Sequence, residues 1–186
     1  MIHAKPALVC TLIAPLFLLS STTVNANPPV RIILDTDFGD DGDDLAALVV
    51  LHHLADIGEV ELLAIGQSNS RWDAPGAIDV INSYYGRPDI PIGQVDHKTH
   101  EGDQYPSFLV KNYKYDLDLK NVPSAVEVYR RALANAPDKS VKFVVVGFKS
   151  NMRDLLKSKP DAISPLSGGL QLTSFVAFSK PREPRR

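Results

Sequence analysis

Residues Val30 to Leu54 read VRIILDTDFGDDGDDLAALVVLHHL. The opening VRIIL is short, β-branched and apolar without alternation. It predicts a strand buried on both faces, because an amphipathic edge strand would alternate. Leu45 to Leu54 predicts a mostly apolar helix, whose N-terminus Asp43 or Asp44 favours by capping and by the helix dipole. Between strand and helix lies an acidic, Gly-containing loop, Asp35 to Asp44. A strand, a short loop and a helix in that order form the repeating unit of a parallel sheet.

The same alternation continues outward. Glu61 to Ile65 predicts a second strand. Ala74 to Tyr85 predicts a helix, with Ala77, Ile78, Val80 and Ile81 suited to packing on the sheet. Gly86 ends it, and Arg87-Pro88-Asp89 prevents its continuation. Ile90-Pro91-Ile92 predicts a short strand. Residues 94–121 are long and polar, which suggests a lid or an excursion from the fold. Ser124 to Ala134 predicts an amphipathic helix, with Ser124 and Glu127 spaced as a capping box. Val141 to Val146 predicts a buried strand, Asn151 to Leu156 starts a helix, and Leu170 to Phe178 offers one more strand. The fold class is α/β, a mostly parallel, doubly wound sheet that is incomplete at its C-terminus.

The first 26 residues predict export. Lys5 gives a positive start, Ala7 to Leu19 is almost wholly apolar, and Val24-Asn25-Ala26 suits cleavage after Ala26. The apolar run is too short to span a bilayer comfortably. The expected destination is periplasmic or extracellular, with no membrane partner after cleavage. Residues 27–169 would form the α/β domain. Residues 170–186 would form a divergent tail whose end, KPREPRR, is basic, Pro-rich and unstructured. The formal net charge of −2 does not suggest nucleic acid as a partner. Cys10 is the single cysteine. The mature chain therefore lacks disulfides and thiolate metal sites, and any metal must be held by oxygen or imidazole.

The acidic loop carries the chemistry. Six carboxylates fall within the ten residues Asp35 to Asp44. In open α/β sheets, ligands bind outside the carboxyl ends of the strands, where this loop sits. Like charges this close raise one another's pKa unless something neutralises them. A hard divalent cation with oxygen ligands does so, and Ca²⁺ tolerates the irregular geometry of a loop. Gly39 and Gly42 let the backbone turn sharply, so that separated carboxylates converge.

A strand followed by Asp-x-Asp-x-Gly, then Asp-Asp opening an Ala/Leu-rich helix, resembles the inosine-uridine preferring nucleoside hydrolases. Leu62 to Asn69 (LLAIGQSN), Ala77 to Gly93 (AIDVINSYYGRPDIPIG) and Val144 to Leu156 (VVVGFKSNMRDLL) resemble further family segments in the right order. The likeness runs from about Arg31 to about Gly168. It implies calcium-dependent hydrolysis of the N-glycosidic bond of ribonucleosides, with a nucleoside or other ribose-containing small molecule as partner. By that resemblance, Asp37 binds Ca²⁺ and takes a proton from the attacking water. Asp44 is the bidentate calcium ligand, Asp43 bonds a ribose hydroxyl and Asn69 contacts the ribose. Ser150 replaces a family Thr whose main-chain carbonyl binds the metal, a role that survives the change of side chain. The loop has two more residues before Asp43-Asp44 than the shortest family form, so Asp41 competes for these roles.

The family's later half supplies another Asp ligand and a His that assists the leaving base. After Gly169 there is no Asp and no His, so the resemblance implies an impaired hydrolase, or a non-catalytic remnant that binds calcium or sugar weakly. Losing a general acid removes a contribution of typically 10²–10⁴-fold. A haloacid-dehalogenase-like phosphatase also opens with strand-Asp-x-Asp, but Gly39 and the second Asp pair do not suit it. His52 and His53 are expected as packing or surface residues, and His97 and His100 as solvated. Trp72, Tyr84 and Tyr85 follow the sheet-packing pattern, with Trp72 near enough to Asn69 to stack on a base. Arg130 and Arg131 are expected on a solvated helix face. Nothing in the sequence opposes a homo-oligomer.

Overall fold

The computed structural model describes residues 27–39, 41–99 and 105–158, and the backbone of residues 175–177. The predicted leader, Asp40, His100, residues 159–174 and the basic tail lie outside the described residues.

Strand β1 (Val30–Thr36) leads through helix α1 (Gly42–Asp56) to β2 (Val60–Gln67). Helix α2 (Ala74–Tyr84) and strand β3 (Ile92–Gln94) follow. Helices α3 (Tyr105–Asn112) and α4 (Ala125–Ala134) precede β4 (Val141–Val145), α5 (Ser150–Lys157) and β5 (Phe175–Ala177). All pairings are parallel, in the order β3-β2-β1-β4-β5. This is the expected α/β fold, with VRIIL and VKFVV side by side.

The unbroken apolar character of β1 has a simple cause. Ile32 and Leu34 face a core shared with Leu48 and Leu51 of α1 and with Ala77 and Ile78 of α2. Ile33 faces the opposite core, with Val128 and Tyr129 of α4, Phe143 of β4, and Met152 and Leu155 of α5. Helices cover both faces of the sheet, so both sets of alternating residues must be apolar. No helix among the described residues is long and apolar enough to cross a membrane.

The first three strands run outward from β1 in one direction, and β4 then returns to its other side. The strand order therefore reverses between β1 and β4. The crevice beyond their carboxyl ends is the usual ligand position in such sheets.

Several boundaries differ from the sequence reading. The third strand begins at Ile92 rather than Ile90, because Pro91 has no N–H to donate. Its carbonyl still accepts from Ile65 N at 2.9 Å. The long polar stretch contains α3, which was not expected. Asp79 of α2 pins the chain beyond it by accepting from Asp116 N (2.9 Å) and Leu117 N (3.1 Å). Ser124 caps α4 as expected, accepting from Glu127 N at 3.1 Å.

The aromatic and arginine expectations need correction. Trp72 and Tyr84 are largely exposed and do not pack on the sheet. Arg130 is buried, not solvated, and donates to Ser158 Oγ at 2.6 Å. Only Arg131 lies on the wet face, paired with Glu127. His52 is fully buried, stacked on Tyr85 and bonded to Asn82 at 2.9 Å. His97 is exposed, as expected, with Nδ1 lying 3.2 Å from Asp96 and 3.6 Å from Asp154.

Candidate functional site

The site begins where β1 runs out. Asp35 and Thr36, its last two residues, are fully buried, whereas Asp37 is partly open. The chain then turns at Gly39, whose φ of +125° is one that L side chains rarely adopt. A Cβ there would also stand 2.9 Å from Pro106 Cγ of α3. Phe38 is buried beneath this turn, edge-on to Tyr105 with ring centroids 5.3 Å apart. Helix α3 therefore seats against the acidic loop.

Helix α1 starts at Gly42, with Asp41 as its N-cap and Asp43 and Asp44 in the first turn. The positive end of the helix dipole favours carboxylates at that position. Asp41, Asp43 and Asp44 each place a carboxylate oxygen within 4.8 Å of the other two. Asp44 is buried and accepts from Thr36 Oγ1 at 2.5 Å, and Asp43 is exposed. Among the described residues, Asp37 does not join this three-carboxylate group. The oxygen donor set, hard and anionic, fits a divalent cation such as calcium.

Two amide side chains of β2 and its loop brace the acidic loop from behind. Asn69 Nδ2 donates to the carbonyls of Asp37 (2.8 Å) and Phe38 (3.3 Å). Gln67 Nε2 donates to Phe38 O (2.9 Å) and to Asn69 Oδ1 (2.6 Å). Asn69 Oδ1 also accepts from Arg71 N at 3.1 Å. Asn69 is fully buried and all of its polar capacity is spent on the protein. A bond from Asn69 to a sugar requires the exchange of one of these partners.

The loop between β4 and α5 closes the third side. Val146 N and Gly147 N donate to Asp35 O at 2.9 and 3.4 Å. Gly147 lies so close that a Cβ would stand 2.3 Å from Asp37 N and 2.6 Å from the carbonyl carbon of Thr36. Phe148 N donates to Ser68 Oγ at 3.0 Å, and Asn151 Nδ2 to Gln67 O at 3.1 Å. This loop delivers Ser150, the first residue of α5, to the same sheet edge. Ser150 Oγ and Gln67 Oε1 are buried without a hydrogen-bond partner in the protein. Buried oxygens of this kind are usually satisfied by water or an ion.

Asp35 has an unusual setting. Its Oδ2 accepts from Tyr129 Oη at 2.7 Å, and both side chains are fully buried. Burial pushes the carboxyl up to about 7, against the opposing hydrogen bond from Tyr129, with the nearby Asp37 charge adding to the rise. The Tyr129 phenol is itself pushed well above its ordinary range, first by burial and then by Asp35.

Sequence reasoning named Asp37, Asp43, Asp44, Asn69 and Ser150, and the fold carries all five to one end of the sheet. It passed over Thr36, Gln67, Tyr129, Gly147 and Asn151. The Gly147 position had a visible signal, a glycine directly after a buried strand. Tyr129 had none, because its partner lies 94 residues away.

Known structures share this fold. The effector protein XOO4466 superposes with a TM-score of 0.59 at 16% identity, over 71% of this chain and 40% of that one. The type III effector XopQ, solved with adenosine diphosphate ribose, gives 0.55 at 16% identity, over 71% and 39%. The plant nucleoside hydrolase PpNRh1 gives 0.51 at 18% identity, over 72% and 44%. The chain thus spans well under half the length of the structures it matches. No family profile matches the chain, and no curated protein is significantly similar to it in sequence.

Proposed function

We propose that this chain forms the cation-binding, water-activating part of a hydrolase that cleaves the N-ribosidic bond of ribonucleosides. The observation that carries this reading is the convergence of carboxylates at the β1/β4 reversal, with Asp41, Asp43 and Asp44 within 4.8 Å of one another. The shared fold of a plant nucleoside hydrolase, and of an effector solved with adenosine diphosphate ribose, is consistent with a ribose-containing ligand.

In this reading Asp37, Asp44 and the main-chain carbonyl of Ser150 hold calcium, and Asp41 is close enough to Asp44 to share the duty. When bound, calcium orients sugar hydroxyls and makes water more acidic. Asp37, open on one side, takes the proton from the attacking water. Asp43, exposed beside the buried Asp44, accepts from a ribose hydroxyl. Asn69 holds the carbonyl of Asp37 and engages the sugar by releasing its longest bond, the 3.3 Å contact to Phe38. Ribosyl cleavage passes through an oxocarbenium-like sugar, which the surrounding carboxylates stabilise.

The test is calcium titration by calorimetry, together with hydrolysis of inosine and uridine with and without calcium. Asp37→Ala serves as the control. Weak but specific calcium binding is expected, with slow, calcium-dependent turnover that disappears in the control. Failure to bind calcium at millimolar concentration overturns the reading.

A further inference from the structure

We propose that Tyr129 is a positioning residue for the acidic loop, acting through its hydrogen bond to Asp35. The proposal rests on the acidic loop being the working site. It concerns a residue on α4, in the layer of helices opposite α1, which itself carries none of the clustered carboxylates.

The first argument is one of cost. A phenol and a carboxyl are buried together at the end of β1, each 0% exposed. Burying two polar groups is expensive, and an apolar pair of similar volume would fill the space at lower cost. The sheet is also shaped to admit the phenol. Gly66 of β2 lies directly beneath it, and a Cβ there would stand 1.6 Å from Tyr129 Oη. The ring packs edge-on against Phe143 at 5.3 Å, so its place in the core does not depend on the hydroxyl. The hydroxyl therefore serves direction more than filling.

The second argument is what Asp35 connects to. Its main-chain carbonyl receives Val146 N and Gly147 N, which holds the β4–α5 loop to β1. Its neighbour Thr36 donates from Oγ1 to the buried Asp44, and the Thr36 carbonyl accepts from Ser68 N (2.7 Å) and Ser68 Oγ (3.0 Å). Gly147 packs on the backbone of Thr36 and Asp37 at distances that leave no room for a Cβ. A shift at Asp35 would thus pass into Thr36 and Asp44 on one side and into the loop bearing Ser150 on the other. Tyr129 holds the node from which both candidate ligand segments diverge.

The test compares wild type with Tyr129→Phe, Asp35→Ala and Asp35→Asn, using hydrogen–deuterium exchange and titration with calcium chloride alone. Tyr129→Phe keeps the ring and removes only the hydroxyl. Its amides in residues 36–44 and 146–151 are expected to exchange about tenfold faster, while α2 and β3 stay as in wild type. Asp35→Ala should follow it, whereas Asp35→Asn, which retains an acceptor, should exchange no faster than wild type. Calcium affinity should fall about fivefold in Tyr129→Phe. Unchanged exchange in both segments overturns the proposal, and so does uniform acceleration across all elements, which marks a merely structural bond. If wild type binds no calcium, the cation reading fails, and the exchange pattern alone decides the role of Tyr129.

Discussion

The two ends of the parallel sheet present very different surfaces. At the starting edge, a cavity of about 610 Å³ is lined by Leu63, Pro91, Pro123, Val128 and Pro137, with Arg31 and Glu61 at its rim. Those two charges lie 2.9 Å apart and are partly exposed. At the finishing edge, buried polar side chains from three loops brace one another and aim carboxylates outward. The hollow at the starting edge is lined by apolar and proline side chains with a neutralised ion pair at its rim, and the clustered carboxylates lie at the other end. Strand polarity accounts for this. At the carboxyl ends the loops lead into helix N-termini, whose free N–H groups and dipoles favour anionic side chains and ligands.

Glycine substitutions should separate the two ends most clearly. Gly147→Ala puts a methyl group against backbone atoms at 2.3 Å and 2.6 Å, which have no freedom to move aside. A loss of roughly 2–4 kcal/mol is expected from such overpacking. Gly58, near the opposite edge, has open space for a Cβ but a φ of +78°. Gly58→Ala should cost only about 1 kcal/mol, from backbone strain. Urea denaturation of both variants checks the contrast, and equal losses would break it.

The next effect is pH-dependent. Asp35 has a folded pKa raised from 3.8 to about 7, so the folded state holds a proton that the unfolded state has released. Through this group, stability falls as pH rises from about 4 to about 7 and is level above that. Asp35→Asn cannot ionise and escapes that loss. Its melting temperature should match wild type near pH 4 and exceed it above pH 7, by a free energy on the order of 2–4 kcal/mol. Thermal melts across that range decide it, and a gap that does not widen with pH would refute the assignment. The smallest effect belongs to the starting edge. Arg31→Ala should change stability by about 0.5 kcal/mol or less, since its partner Glu61 is half in water.

Local pattern was enough to read most of the elements. VRIIL, ELLAI and VKFVVV are legible as buried strands because helices on both faces demand apolar residues at nearly every position, with charges only near the starting ends at Arg31, Glu61 and Lys142. Helix α3 is hard to read because YPSFLVKN is short and lies inside a polar stretch; only Pro106 is fully buried, while Tyr105, Leu109 and Val110 pack partly on the core. Its ordering comes from contacts with Phe38, Gly39 and Arg71, all distant in sequence. Arg130 resembles its neighbour Arg131 in sequence, and the approach of Ser158, just past the end of α5, separates a buried guanidinium from a wet one.

The sequence by itself determined the α/β class, the position of the acidic loop after a buried strand and the carboxylates at the start of α1. These follow from side-chain periodicity and from short-range spacing, which no later packing can alter. The pairing of β4 beside β1 was already implied by the sequence, whereas tertiary structure alone decided that Gly147 lets its loop reach the backbone of Asp37. It also decided that Tyr129 crosses Gly66 to reach Asp35, and that Asn69 spends its amide on the acidic loop. Each of these is a contact between segments far apart in the chain. Its partner is selected by the space left between packed elements, and residue order alone does not encode that space.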